Sequence, residues 1–352
     1  DLEEAFERCQ SEALAFFGLG DVYVEEFLPR ARHIEVQILG DTSGSIVHFG
    51  DRECSVQRRN QKLVEVAPAP NLAPSLREKM TSAAVSFAQQ EKYMSLGTFE
   101  FLVLDKGVEE DRSTGSATED HFVFIEANAR LQVEHTVTEE VTGFDLVRGQ
   151  IAVAFGSSLT DLGLDAQAPP ALSGFAIQAR VNLETITADG GVRPGSGRLV
   201  RYEPPNGPGV RTDGFGYVGY KTSIAYDSLL AKVIVHERSS NFSDVARKAI
   251  RALSEFHLEG ARNNISFLKN ILSHEDFISG ATHTRWIEET VEQLTNEWQG
   301  PDHFMVAETG GGAEGVSQGS SKREDPLAVF SQQDTTGQAA PAEPQEIDVP
   351  EG

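Results

Sequence analysis

The chain has 352 residues, 39% hydrophobic and 24% charged, and a formal net charge of −24. That length accommodates roughly two domains of ~100–200 residues each, and the composition is that of a soluble globular chain with no apolar run near the ~20 residues of a membrane span. The acidic balance argues against nucleic acid as a partner, since neutralising phosphate needs a net excess of Lys and Arg. Two cysteines, Cys9 and Cys54, make no disulfide framework and have no ligand-spaced partners, so the cytoplasm is the expected compartment.

The chain opens at Asp1 inside a helical pattern and without an initiator methionine, so it is expected to be a fragment. Leu2, Ala5, Phe6, Cys9, Ala13, Phe16 and Phe17 recur at helical spacing. Residues 21–28 and 33–39 read as strands. In the second, Ile34, Val36 and Ile38 alternate with Glu35 and Gln37, the pattern of a half-buried sheet. A turn at 41–44 leads to a further strand from Ile46 to Phe49. The basic residues Arg52, Arg58, Arg59 and Lys62 form an island in an acidic chain. It suits a pocket for a small anion, or equally a salt-bridged, solvated loop.

Pro68-Ala69-Pro70 breaks the sheet pattern, and Pro74 opens a helix expected to run to about Lys92. Strands follow at 97–104 and 121–127, separated by an acidic loop, 105–120, read as an exposed insertion without chemistry. A helix is predicted over 145–155. Composition shifts at 165–172, where a domain boundary is placed. Strands are then predicted at 175–182, 197–202 and 229–235, a helix opening at Ser243, and two helices at 264–272 and 284–294. From Gly310 the chain is too poor in apolar residues to offset ordering entropy and is expected to be a disordered linker.

The stretch from Glu126 to Glu134 is the most informative. Glu126, Asn128, Arg130, Gln132 and Glu134 alternate with Ala127, Ala129, Leu131 and Val133. An extended backbone would send all five polar groups to one side; a solvent-facing strand would give the same alternation. The apolar run from Phe122 to Ile125 argues for a central strand, and Glu100 lies in the similar strand Phe99-Glu100-Phe101. Oxygens from Glu100, Glu126 and Asn128 would suit Mg²⁺, which takes few carboxylates alongside phosphates and water. Arg130 offers a planar fork to a carboxylate-like anion, and Glu134 stands far enough along to act on substrate.

Phe124-Ile125-Glu126-Ala127-Asn128 followed by Arg130-Leu131-Gln132-Val133-Glu134-His135 closely resembles the signature of the biotin carboxylases within the ATP-grasp superfamily. So do Arg32-His33-Ile34-Glu35-Val36-Gln37, Arg52-Glu53-Cys54-Ser55-Val56-Gln57-Arg58-Arg59 and Gln61-Lys62. The resemblance runs in consistent order from about Val22 to Glu289. It implies an α+β fold. Residues 1–165 would form a partial ATP-grasp domain, an antiparallel sheet with helices, and 172–296 a biotin carboxylase C-terminal α+β domain. A disordered acidic linker would occupy 300–352.

The same resemblance implies ATP- and bicarbonate-dependent carboxylation of biotin through carboxyphosphate, with Mg²⁺ or Mn²⁺ and biotin borne on a carrier domain. Glu25 and Glu26 would hold adenine, and His33 would contact the nucleotide. Gln57 and Lys62 would line the phosphate and bicarbonate region. Glu100, Glu126 and Asn128 would ligate metal. Arg130, Gln132 and Val133 would cradle bicarbonate, Glu134 would serve as general base, and Arg180 would stabilise the biotin enolate. Asn60 stands where many members have histidine. Partners implied are a biotin carboxyl carrier domain and a carboxyltransferase module downstream, with a possible homodimer. The family's Gly-rich flap has no counterpart before Val22, so the chain alone is expected to turn over little or not at all. An assembly-only fragment, or another ATP-grasp ligase, is the alternative.

Overall fold

The computed structural model describes residues 2–104, 121–223 and 225–302. In chain order these form α1 (Leu2–Phe17), β1 (Ala31–Gly40), β2 (Ile46–Arg58), β3 (Gln61–Ala67), α2 (Pro74–Gln90), β4 (Ser95–Leu104) and β5 (Phe122–Asn128). Then come α3 (His135–Thr142), α4 (Leu146–Ala154), β6 (Phe175–Asn182), β7 (Glu184–Ile186), β8 (Val192–Pro194), β9 (Arg201–Glu203) and β10 (Val210–Gly214). The last elements are β11 (Leu229–Glu237), α5 (Phe242–Glu255), β12 (His257–Glu259), α6 (Ile265–Ser273), α7 (Glu275–Ser279) and α8 (Trp286–Leu294). The fold is α+β.

Eight strands make one sheet in the order β10-β11-β6-β3-β2-β1-β4-β5, and every pairing in it is antiparallel. The pleat separates two kinds of residue. On one face Ile34, Val36, Ile38, Phe99 and Phe101 pack on Leu76, Met80, Ala84 and Ala88 of α2. Along the same sheet Ile177, Ala179 and Val181 of β6 meet Val245, Ala249 and Leu268 of α5 and α6. The opposite face carries the charged residues and is covered by α3 and α4. Val137 and Val141 of α3 pack on Ala67, Ala176 and Ile234, and Leu146 and Val153 of α4 on Leu39 and Leu96. The break between these two helices falls at Gly143, whose φ of 69° is the left-handed conformation that ends a helix.

Several sequence expectations need correction. Residues 21–28 form no strand: no neighbouring strand pairs with them, and most of their side chains are exposed. The strand through Glu35 is not half-buried, because Arg52 and Lys62 lie against its polar face and Glu35 and Gln37 have no exposed surface. β5 is the edge strand, not a central one. It ends at Asn128; the chain then turns, Leu131 packs against the α4 core, and α3 begins at His135. The strand expected from Ile46 continues to Arg58, and the one at 197–202 shrinks to β9, paired with β12. The cap of α5 is Asn241, whose side chain accepts from the Ser243 amide. α1 is helical as its periodicity predicts, yet buries none of its residues. The 105–120 loop and the tail beyond 302 lie outside the described residues.

The core prediction is direct. Phe101 has no exposed surface and meets Phe122 at 5.4 Å and Phe124 at 5.9 Å between ring centroids. Phe101→Ala should cost ~3–5 kcal/mol in urea unfolding, whereas Phe16→Ala, at a ring 82% exposed, should change stability by no more than ~0.5 kcal/mol.

Candidate active site

Antiparallel register places charged residues side by side across the sheet. Glu35 lies opposite Arg52 on one side and Glu100 on the other, and Glu100 lies opposite Glu126. Further along, Glu65 faces Gln178 and Arg180 faces Lys232. Residues directly opposite share a face, so the whole row looks toward α3.

Arg52 has no exposed surface and binds in five directions. Its Nε donates to Glu35 Oε1. Its other nitrogens reach Gln37 Oε1 at 2.9 Å, Thr138 Oγ1 at 2.9 Å, Gln132 Oε1 at 3.1 Å and Thr98 Oγ1 at 3.4 Å. A buried guanidinium is tolerated only with its charge and donors answered; here β1, β4, α3 and the turn before α3 all answer it.

Lys62 is the second hub. Its ammonium lies 2.6 Å from Glu35, 2.6 Å from Glu134 and 3.5 Å from Glu100. Glu134 accepts from Arg180 at 3.0 Å through its other oxygen, and Arg180 also binds Glu65. The carboxylate at the head of α3 is therefore held between two cations. His33 Nε2 meets Glu100 Oε2 at 2.6 Å, and Gln57 reaches the other ring nitrogen at 3.4 Å.

These charges set the ionisation. Burial pushes the Glu35 carboxyl up, but Arg52 and Lys62 outweigh it and hold it at about 2. Burial likewise opposes the hydrogen bond with His33 and the charge of Lys62 at Glu100, which also settles at about 2. Lys62 is pushed above its ordinary value, the surrounding carboxylates overriding burial. Burial raises the Glu65 carboxyl, with Arg180 pulling it back, and raises the Cys54 thiol well out of reach of ionisation.

Glu100, Glu126 and Asn128 come together. Asn128 Nδ2 donates to Glu100 Oε1 at 2.8 Å and to Glu126 Oε1 at 2.9 Å, and Gln132 Nε2 donates to the same Glu100 oxygen at 2.6 Å. Two carboxylates and an amide, Glu100 buried on β4 and Glu126 exposed on the edge strand β5, make a hard-oxygen set that fits Mg²⁺ or Mn²⁺. Ligation would turn the Asn128 amide so that its oxygen replaces the nitrogen bridging the two acids. His33, Glu35 and Glu100 also bring ligand atoms within 4.8 Å of one another. There, however, the Lys62 ammonium already lies against Glu35 and Glu100, whereas the Glu126 side holds no such ammonium among the described residues.

The other expected residues divide. Gln132 and Glu134 join the network by way of the turn after Asn128, not along an extended strand. Arg130 is exposed and donates to the Leu131 carbonyl at 3.4 Å, apart from the row. Val133 presents its carbonyl to Lys232 Nζ at 2.9 Å. Glu25 and Glu26 are exposed on the coil before β1, where Arg285 lies over the Phe27 ring at 5.8 Å. Sequence reasoning gave no site role to Glu35, Glu65, Gln178 and Lys232, and placed Arg52 only in the basic island. Glu65 carried a usable signal, for Val64-Glu65-Val66 repeats the apolar–Glu–apolar pattern that singled out Glu100.

Two family profiles match the chain: "Carbamoyl-phosphate synthase L chain, ATP binding domain" over residues 1–162 and "Biotin carboxylase C-terminal domain" over 178–289. Together they define an ATP-grasp domain joined to a biotin carboxylase C-terminal domain. Pyruvate carboxylase 1 of Caenorhabditis elegans and the mitochondrial pyruvate carboxylase of Homo sapiens are each 46% identical over 293 residues. Those matches cover 83% of this chain but 23% of either relative, so the chain spans about a quarter of their length. The biotin carboxylase domain dimer of Hydrogenobacter thermophilus 2-oxoglutarate carboxylase, solved with MgADP, ADP and bicarbonate, superimposes with a TM-score of 0.73 at 36% identity, covering 83% of this chain and 60% of that one. The chain belongs to the biotin carboxylase family.

The depressed carboxyls predict acid behaviour. Glu35 titrates at about 2 in the fold against an ordinary 4.5. Because the folded value is the lower one, its stabilisation is complete above 4.5 and is lost as pH falls through about 2. Stability followed by circular dichroism should therefore fall steeply across that window. Glu35→Gln should flatten the slope while costing ~3–5 kcal/mol at neutral pH, because Arg52 is left buried without its counter-charge.

Proposed function

We propose that this chain carries the chemistry that joins bicarbonate to biotin at the expense of ATP, through carboxyphosphate, as part of a pyruvate- or acyl-CoA-type carboxylase. The observation that carries this reading is the Glu134 carboxylate held between Lys62 and Arg180, two residues beyond the Gln132 side chain that binds Glu100. A base beside two cations, next to a hard-oxygen metal set, suits removal of a proton from a small anion that is being phosphorylated.

In this reading bicarbonate sits against Arg130, Gln132 and the Val133 backbone, and Glu134 takes its proton as a bicarbonate oxygen attacks the γ-phosphorus and ADP leaves. A divalent cation held by Glu100, Glu126 and Asn128 would supply charge neutralisation for the transferring phosphoryl group. Lys62 adds a positive charge beside the same region. Carboxyphosphate then breaks its carbon–oxygen bond to CO₂ and phosphate, and that phosphate takes the proton from the biotin ureido nitrogen. Arg180 exchanges its bond to Glu134 for one to the enolate oxygen, where negative charge develops; the nitrogen then attacks CO₂. His33 and Gln57 would face the nucleotide, and Glu25 and Glu26 would flank adenine.

Relatives four times as long support a carrier domain bearing biotin and a carboxyltransferase module as partners, and the dimeric solved relative supports a homodimer. Among the described residues no helix is long and apolar enough to cross a membrane. The cytoplasm is proposed as the compartment on the two unpaired cysteines.

The test is ATP cleavage with and without bicarbonate and free biotin, on this chain and on the chain joined to the preceding part of a biotin carboxylase. Bicarbonate-stimulated cleavage and carboxylated biotin are expected from the joined protein; cleavage indifferent to both substrates would point to another ATP-grasp ligase. There, Glu134→Gln should lower bicarbonate-dependent cleavage ~10²–10⁴-fold while sparing nucleotide binding. Arg180→Ala should cut biotin carboxylation far more than biotin-independent ATP cleavage, and an equal fall in both would refute the enolate role.

A further inference from the structure

Away from the charged row, β7, β8 and the loop leading into β11 enclose a cavity of about 320 Å³. Its lining includes Phe215, Tyr220 and Tyr226, together with Gln61, the buried Glu184 and the exposed Asp227. Among the described residues, none lining it carries a positive charge. Phe215 and Tyr220 stand edge-on to each other, with ring centroids 5.4 Å apart.

The hydrogen bonding around Glu184 is short of donors. The residue is 4% exposed, and its oxygens accept from Ser228 Oγ at 2.8 Å and Asn182 Nδ2 at 3.2 Å. Asn182, 1% exposed, leaves its own Oδ1 without a hydrogen-bond partner. Asp227, by contrast, is exposed and accepts from the Leu229 amide at 3.0 Å. A neutral or apolar occupant would remove water from the Glu184 carboxylate and return too few donors, at a cost of the order of 1–3 kcal/mol for each polar group left unpaired.

We propose that this cavity binds the guanidinium of an arginine presented by a polypeptide. A guanidinium stacks on aromatic faces, is weakly hydrated, and carries five donors in a planar fork that matches carboxylates on two sides. An ammonium would satisfy one acid as a hydrated point charge but gains less from ring walls. The volume is at the low end for ligand pockets, ~300–1,000 Å³, which suits one long side chain rather than a whole cofactor.

The experiment titrates N-acetyl-arginine amide, N-acetyl-lysine amide and N-acetyl-citrulline amide into the chain and reads dissociation constants by protein-observed NMR. The arginine probe should bind roughly tenfold or more tighter than citrulline, its neutral isostere, a difference of ~1.4 kcal/mol, and tighter than lysine, with affinity falling as salt rises. Asp227→Asn and Tyr226→Ala alter side chains on the open rim, so melting should be unchanged while arginine affinity drops roughly tenfold. Equal binding of citrulline or lysine, an arginine signal indifferent to both variants, or no saturable binding would each overturn the proposal.

Discussion

A guanidinium with no exposed surface must have its charge answered within the fold, and Arg52 is answered chiefly by Glu35 on the neighbouring strand. That requirement organises the rest. The pair sits at a fixed register between β1 and β2, and a slip of one residue would turn the whole charged row onto the face where α2 packs. Bonds from Arg52 to Thr138 and Gln132 dock α3 and the turn before it. Glu134 then meets Lys62 and Arg180 because α3 is seated there. A buried ion pair of this kind adds little net stability compared with a well-packed apolar pair; its effect here is to select one arrangement of strands and helix.

Much of the molecule was legible in its residues. β4, β6, α2, α6 and α8 follow from apolar periodicity and the proline at Pro74, and the convergence of Glu100, Glu126 and Asn128 was visible as acids and an amide in apolar strands. What was not legible depended on covering. Alternation in β1 reports two faces but cannot tell that Arg52 and Lys62 close over the polar one. The alternation from Glu126 to Glu134 looked like a longer strand because Leu131 and Val133 keep the two-residue period through a turn. β7 and β8 pair only with each other, and β12 pairs with β9 far back along the chain; the sequences of all three are too brief to announce them.

Edge position sets apart the two acids of the proposed metal trio. β5 has β4 on one side and no strand on the other, so Glu126 is exposed while Glu100, one strand inward, is buried. The acids thus form a gradient from water to interior. Were a cation held there as proposed, Glu126 would meet it on the solvent side, and the desolvated inner carboxylate would be reached last.

The two family profiles stop and start on either side of residues 163–177, yet β3 and β6 pair from Val64 opposite Ala179 to Ala67 opposite Ala176. A hinge between these halves would have to tear main-chain bonds out of the middle of a sheet. The two regions are consequently one mechanical body, and a twist imposed at the strand bearing Arg180 is handed on to the strand bearing Glu100. Bending between the two halves is closed to this slab, and they turn only as a unit.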